Sequence, residues 1–503
     1  MPILIRGGRV LTEAQAAPAA VDVLVDGDRV ARVGADLPAA PGTRVIEARG
    51  RLVIPGLVNG HTHAHNVLAK GAIDGLPLEI WVQYLAARVA NRTPRDIYVG
   101  AAIGAIEMLR TGTTCACDMA QVTPWPTDEG LDAVARAYVD VGLRVSIAAQ
   151  VFDLSFVESL AGLEAALPAD LRAAVVRPRA YPTAEVLATV RGAIARWHGA
   201  ADGRVRFGVG PNLITLCSEA FLEECGALSR AGDLTLQTHL SETKAEAYTA
   251  RQRYGMRAAE KLAALGLLGP RTLLAHSVWL DERELDLIAD AGAMVAHNPV
   301  SNLKLGAGIA PVAGMRRRGI TVALGTDGAA SNDNQNMFYP LRLAAILPRV
   351  VDPEYADWPG AADALRMATV DGARAAGFAD RVGRIAPGWK ADLTVLDLGS
   401  SYFHPANDLV RQLVYCEVGS SVRTVLVDGR VVLDEGRVTT VDEAALLAEA
   451  DEVGRRVAAE MEGRAADVRR LEPYVRRAYL AANRAEWPVN HYASEAYRAL
   501  PAE

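Results

Sequence analysis

Eight strand-like apolar runs, separated by helix-like stretches, fill the middle of this 503-residue chain and limit what it can fold into. They read RLVIPGLVNGHTH, GTTCACDM, RVSIAAQVFD, VRFGVGPN, LTLQTHLSET, TLLAHSV, AMVAHNPVSN and TVALGTDGAA. Between them lie segments such as PRDIYVGAAIGAIEMLRTG, apolar at helical spacing and closed by Gly112. Alternation of this kind marks βα units, and eight of them predict an α/β fold built as a (β/α)8 TIM-type barrel over residues 55–385. In such a barrel the catalytic groups sit at the C-terminal ends of several strands.

The two ends of the chain resemble each other. VLVDGDRV near the start and VLVDGRVV near the finish both place Asp-Gly between β-prone runs, a tight hairpin signal. Residues 1–54 and 386–440 are therefore expected to pair into one small β-sandwich-like domain. After it, Leu446, Ala450, Val453, Val457 and Met461 recur at helical spacing, so 441–503 reads as a helical extension packed on the barrel or on a partner subunit. The connection from about 154 to 204 is long for a loop plus one helix and is expected to carry a lid over the barrel mouth.

Bulk properties remove several classes of partner. A net charge of −7 argues against nucleic acid or an anionic membrane surface. No apolar stretch of about 18 residues is present to span a bilayer, and MPILIRGGRVL lacks a signal peptide's apolar core. Five scattered cysteines without a CxxC pair fit a reduced, cytoplasmic setting. A homodimer or higher homo-oligomer is the expected assembly.

Polar residues collect at the ends of the runs. GLVNGHTHAHN carries His61, His63 and His65 at alternate positions. Along a strand, neighbours two apart lie about 6.6–6.8 Å from each other and can lean onto one ion, whereas the first and third lie about 13 Å apart. Two ligands and a third histidine with another task are expected. Run five ends in His239 and Glu242, run six in His276, run seven in His297 and run eight in Asp327. Three imidazoles (His61, His63, His239) and the Asp327 carboxylate would hold a divalent ion of the zinc type and leave room for a water. The ion would bring that water's pKa to about 7. Glu242 would then shuttle a proton to the leaving group, Asp327 would take the first proton, and His276 would orient the water or stabilise developing charge.

NGHTH, THLSET, LAHSV, HNPVSNLKLG and GTDGAASND together resemble the metal-dependent amidohydrolase superfamily, in its mononuclear aminohydrolase branch. That branch contains S-adenosylhomocysteine/methylthioadenosine deaminases, guanine and cytosine deaminases, and triazine hydrolases. The resemblance runs from residue 1 to about 440 and implies the same ligands and proton carriers. Binuclear relatives usually carry a bridging lysine ending strand four; here that run ends VGPN, and the five lysines lie elsewhere. One divalent ion is therefore expected, zinc first, with iron or manganese as alternatives. The other zinc-deaminase signature, H-x-E with P-C-x-x-C, is missing.

DGLPLEIW and PVSNLKLGAGIAP most resemble adenosine-type deaminases, but three departures follow. Asn212 stands where those proteins have the histidine of GPH, no acid occupies their PxE segment, and Ala149-Gln150 replaces an expected arginine. These changes remove contacts to a nucleoside. The expected reaction is hydrolytic deamination of a smaller amino-substituted N-heterocycle: a purine base, pterin, pyrimidine or triazine. Displacement of chloride or an alkylamine, and nucleoside deamination, are the alternatives. A non-catalytic scaffold would have no physical need for the ligand set. His65, Trp81, Gln150, Asn212 and His297 are the candidate substrate contacts.

Overall fold

A computed structural model describes residues 1–123, 125–175 and 183–492 of the chain. The N-terminal end forms β1 (Ile3–Val10), β2 (Ala19–Asp26), β3 (Arg29–Gly34), β4 (Arg44–Glu47) and β5 (Arg51–Pro55). The barrel strands follow: β6 (Leu57–Thr62), β7 (Thr113–Ala120), β8 (Arg144–Val151), β9 (Val205–Pro211), β10 (Leu236–Leu240), β11 (Thr272–His276), β12 (Met294–His297) and β13 (Val322–Leu324). The chain then returns through β14 (Leu393–Asp397), β15 (Val422–Val427), β16 (Arg430–Asp434) and β17 (Arg437–Val438).

Both ends meet in one nine-stranded sheet of order β17-β16-β15-β14-β5-β1-β2-β3, with β4 beside β1. The junction is antiparallel, with Thr394 of β14 opposite Ile54 of β5. Most pairings are antiparallel, but β1 runs parallel to both β4 and β5. The apolar run Leu52–Val58 looks like a single strand in the sequence, yet the structure divides it at Gly56 between the two sheets. A Cβ on Gly56 would lie 2.1 Å from Thr114 Oγ1, so only glycine lets the chain pass from one sheet to the other.

The eight barrel strands are hydrogen-bonded in sequence order, β6 to β13. The seam between β13 and β6 is made differently. Asp327 donates its N–H to the His61 carbonyl at 2.9 Å, and the Asn59 side chain bonds both the Thr326 hydroxyl (2.7 Å) and the Thr326 N–H (3.0 Å). Gln335 accepts from Thr62 (2.7 Å) and Thr326 (2.9 Å) and donates to the Asp327 carbonyl at 3.0 Å.

At the other end of the barrel, Arg144 of β8 pins the two sheets together. Its guanidinium makes two bonds to Asp392 (2.8 and 2.9 Å) and one to Asp428 (2.9 Å), all three side chains being buried. A 42-residue helix, Glu443–Arg484, packs back over the chain's own barrel. Leu471, Val475 and Ala482 meet Ile80, Leu160, Leu163 and Ala245 in one apolar cluster. Lys244 donates to the carbonyls of Asn483 (2.7 Å) and Ala485 (2.8 Å), and Ile309 N–H bonds the His491 carbonyl at 2.8 Å. The extension thus straps the loops at the C-terminal face of the barrel; residues 493–503 lie outside the described residues.

The 154–204 connection has two parts, with residues 176–182 outside the described residues. Phe156, Ser159 and Leu160 reach the cavity at the barrel mouth, whereas helix Thr183–Trp197 lies on the outside, tied by Arg196 to Asp128 and Asp132. No helix among the described residues is long and apolar enough to cross a membrane.

Candidate active site

The strand ends that carry the polar residues converge on one point. Ring centroids of His61, His63 and His239 lie 4.9–5.4 Å from one another, and those of His239 and His276 are 5.4 Å apart. Asp327 Oδ1 is 3.5 Å from His63 Nε2 and 3.7 Å from His61 Nε2. Ligand-capable atoms of His61, His63 and His239 fall within 4.8 Å of each other, as do those of His61, His276 and Asp327.

The protonation pattern at this point calls for a cation. His63 Nδ1 lies 2.6 Å from the Met119 carbonyl and His239 Nδ1 2.8 Å from the Asn212 carbonyl, so each Nδ1 carries the hydrogen. Their Nε2 lone pairs therefore face each other, 3.3 Å apart. His61 is fully buried with neither ring nitrogen partnered. Burial pushes its pKa well below the ordinary value, and that of His239 to about 3, with neighbouring imidazoles adding to the effect. Neutral imidazoles presenting lone pairs to one another are unstable as a bare cluster and fit a divalent ion.

Asp327 completes the set. Ser301 and Ser331 donate to its Oδ2 at 2.6 and 2.8 Å, and the Gly328 N–H donates to Oδ1 at 2.7 Å. Burial alone would raise its pKa, but the imidazoles of His276, His63 and His61 and the Ser301 hydroxyl outweigh that and hold it well below the usual carboxylate range. Glu242 behaves in the opposite way. Burial first, and then the carboxyls of Asp327, Glu246 and Glu79, push its pKa well above the ordinary value and so favour its protonated form. Its Oε1 lies 3.4 Å from His276 Nδ1. The Asn302 carbonyl oxygen, 2.8 Å from the same nitrogen, fixes the tautomer that leaves His276 Nε2 free to accept.

The backbone bends to present these groups. Ser241 (φ 46°), His276 (φ 67°), Ser277 (φ 52°) and Asp327 (φ 61°) all adopt left-handed conformations at or just after strand ends. Clusters of such residues mark sites where geometry for chemistry overrides local preference. Glu246, one helical turn past Glu242, accepts the N–H groups of Ser241 (2.9 Å) and Glu242 (2.8 Å) and locks that turn.

A cavity of about 140 Å³ opens above these groups. His63, His239, Glu242, His276 and Asp327 line its floor, and Trp81, Gln150 and Asn212 line its walls. Trp81 Nε1 and Gln150 Oε1 are buried without partners, while the Asn212 carbonyl holds His239. The structure puts His65 and His297 elsewhere. β6 ends at Thr62 and a 3-10 turn, Ala64–Ala69, begins, so the alternation that would carry His65 to the mouth is broken; its ring packs off the cavity wall beside Arg92. His297 is also off the wall, buried, with its pKa pushed down to about 3 by burial and by the neighbouring His276. Neither residue lines the cavity. The sequence reading passed over Ser301, Ser331, Asn302, Glu246 and Glu79. Ser301 and Ser331 stood inside quoted motifs, but the short helix Pro299–Lys304 carries the first to Asp327 and the loop after β13 carries the second.

Comparison with known proteins agrees with this geometry. The 5'-deoxyadenosine deaminase of Methanothermobacter thermautotrophicus is 37% identical over 442 residues, 88% of this chain and 95% of that protein. A zinc-bound adenosine deaminase structure from Xanthomonas campestris superposes with a TM-score of 0.80 at 29% identity, covering 91% of this chain and 98% of that one. Zinc-complexed atrazine chlorohydrolase from Arthrobacter aurescens gives 0.81 at 28%, covering 90% and 100%. The amidohydrolase family model matches residues 52–432, and with these relatives it shows that the chain belongs to the amidohydrolase family, as a hydrolase of carbon–nitrogen bonds in cyclic amidines.

Proposed function

We propose that this protein is a hydrolytic deaminase that removes ammonia from an amino-substituted N-heterocycle using a single divalent ion, zinc first. One observation carries the reading. A buried acid, Glu242, whose surroundings favour its protonated form, shares a cavity floor with imidazoles whose Nε2 atoms converge with the Asp327 carboxylate.

His61, His63, His239 and Asp327 would hold the ion. When bound, it supplies Lewis acidity and brings the ionisation of water into the neutral range. The remaining work belongs to the side chains. Addition to an amidine carbon places charge on the adjacent ring nitrogen, and Glu242 delivers its proton there. His276, held by Asn302 with Nε2 as the acceptor, orients the attacking water by accepting its hydrogen and then accepts from the hydroxyl it leaves on the tetrahedral carbon. Asp327 takes a proton from the water, passes it to the departing amine and so returns to its carboxylate, while the hydroxyl proton of the tetrahedral carbon restores Glu242 as the carbonyl forms. Trp81, Phe156 and Leu160 exclude bulk water from the cavity. The relatives named as adenosine-type deaminases support the reaction class. The atrazine chlorohydrolase likeness supports a second reading, displacement of another leaving group from a triazine-like ring. Five free cysteines, four of them buried, support a cytoplasmic setting.

Ammonia release across a panel of aminated heterocycles, together with elemental analysis of the purified protein, tests this. About one ion per chain and ammonia from at least one heterocycle are expected. Two ions per chain, or full activity without any, would refute the mononuclear site; chloride or alkylamine release without ammonia would favour the second reading.

A further inference from the structure

Next to Glu242 the cavity wall carries a second acid that the chemistry above does not use. Glu79 opens the helix Leu78–Val89, is 4% exposed and lines the cavity. Its Oε1 accepts the Thr243 hydroxyl at 2.6 Å. The Thr243 oxygen in turn receives the Glu246 N–H at 3.1 Å, so the single hydroxyl hydrogen is committed to Glu79 and fixes its orientation. Oε2 is buried and has no partner. Burial disfavours the Glu79 carboxylate, opposed only by the Thr243 hydroxyl and a backbone hydrogen bond, so a ligand N–H on the unpartnered Oε2 is what would stabilise the charged, accepting form. A buried acceptor left unpaired is unfavourable, and a ligand hydrogen-bond donor would relieve it.

Position says which donor. Thr243 follows Glu242 in the chain, so Glu79 stands beside the proton carrier on one wall. Under the deamination reading, on which this inference rests, Glu242 faces the ring nitrogen next to the carbon under attack. The ring atom beyond that nitrogen then faces Glu79. We propose that Glu79 Oε2 recognises an N–H donor on that atom. The preferred substrate is thus a heterocycle in which two amino-bearing carbons flank one ring nitrogen: a diamino purine, pyrimidine, pteridine or triazine pattern. A ring with C–H at that position leaves Oε2 desolvated and unpaired, and a site built for a donor rejects the analogue lacking it.

The matched probes are 2,6-diaminopurine and adenine, which differ only in the amino group on the carbon beyond the shared nitrogen. Dissociation constants are measured by calorimetry in the Glu242→Gln background, where turnover does not interfere, and ammonia release is measured in the otherwise native enzyme. The parent should bind 2,6-diaminopurine at least tenfold more tightly than adenine. Adding Glu79→Gln should abolish that preference, because the Thr243 hydroxyl selects the amide oxygen and turns the NH2 toward the ligand's own amino group. Glu79→Leu should abolish it as well, and gives a second measurement if one variant folds poorly. Equal binding by the parent, no binding of either probe, or a preference that survives both substitutions would overturn the inference. A Glu79-dependent preference without ammonia from either compound would leave it standing and count against deamination instead.

Discussion

Replacing Glu242 with glutamine separates proton transfer from everything else the site does. Burial and the carboxyls of Asp327, Glu246 and Glu79 disfavour the charged form of Glu242. An amide of the same shape therefore leaves the net charge of the floor unchanged. The backbone bond from Glu242 N–H to Glu246 is untouched, and the ionisable side chain 3.4 Å from the Glu242 carboxyl, His276, is not among the proposed ligands. Metal content and KM should hold. Loss of a positioned proton carrier typically costs 10²–10⁴-fold, or about 2.7–5.5 kcal/mol of barrier at about 1.36 kcal/mol per tenfold. The assay is steady-state ammonia release on the best panel substrate, with elemental analysis of the same preparations. A drop in kcat of less than about threefold with full metal would refute the proton-carrier role. Loss of metal together with activity would instead put Glu242 in the ligand set.

Three further outcomes follow from the geometry. His65→Ala should keep its metal and KM and lose only thermal stability, because the ring packs off the cavity wall; a metal-free variant would show that its packing shapes the His63 turn. Arg144→Leu should destabilise the fold by about 3–5 kcal/mol, since it strands Asp392 and Asp428 in the interior, with Lys390 left beside Asp428; an unchanged melting temperature would refute the clamp between the sheets. Leu160→Ala should raise KM several-fold with metal content unchanged, as Leu160 lines the cavity and packs with the Glu443–Arg484 helix, and unchanged kinetics would make the 154–175 segment peripheral.

What the sequence disclosed and what it hid divide along a physical line. Groups at strand ends were legible, because a period-two run fixes where its last residues point and parallel strands bring those ends together. That covers His61, His239 and His276, whereas Asp327 lies past the end of β13 and reaches the same place through a left-handed turn. The reading lost its footing where strands stop. His63 already has a non-strand backbone (φ −127°, ψ 70°), and the next residues coil into a 3-10 turn, so strand arithmetic does not describe His65. Run seven likewise ended in His297, but nothing in its pattern said that β12 would turn this ring away from the cavity. Glu79 and Ser331 were hidden for a different reason. They come from a helix start and a loop, whose approach to the site depends on tertiary packing and leaves no periodic trace. The Leu52–Val58 run misled because hydrophobicity reports burial and does not say which of two sheets buries a residue.

The site's place in the fold follows from how the barrel closes. Seven of the eight strand junctions are backbone ladders, whereas β13 meets β6 through Asn59, Thr62, Thr326 and Gln335 side chains and one N–H from Asp327 to the His61 carbonyl. His61 and His63 stand on one side of that seam and Asp327 on the other. A ladder would impose extended backbone on both edges. Side-chain closure instead leaves Asp327 free to take φ 61° and turn its carboxylate toward the imidazoles, with Gln335 holding the Asp327 carbonyl at 3.0 Å. An ion shared by these three ligands would cross-link the barrel where its backbone bonding is thinnest. Binding to the folded state alone stabilises it in proportion to RT ln(1 + [L]/Kd). Metal affinity and closure of the barrel would then be two faces of one equilibrium, and residues such as Gln335 and Asn59, which do not line the cavity, would act on the chemistry by setting how the seam is held shut.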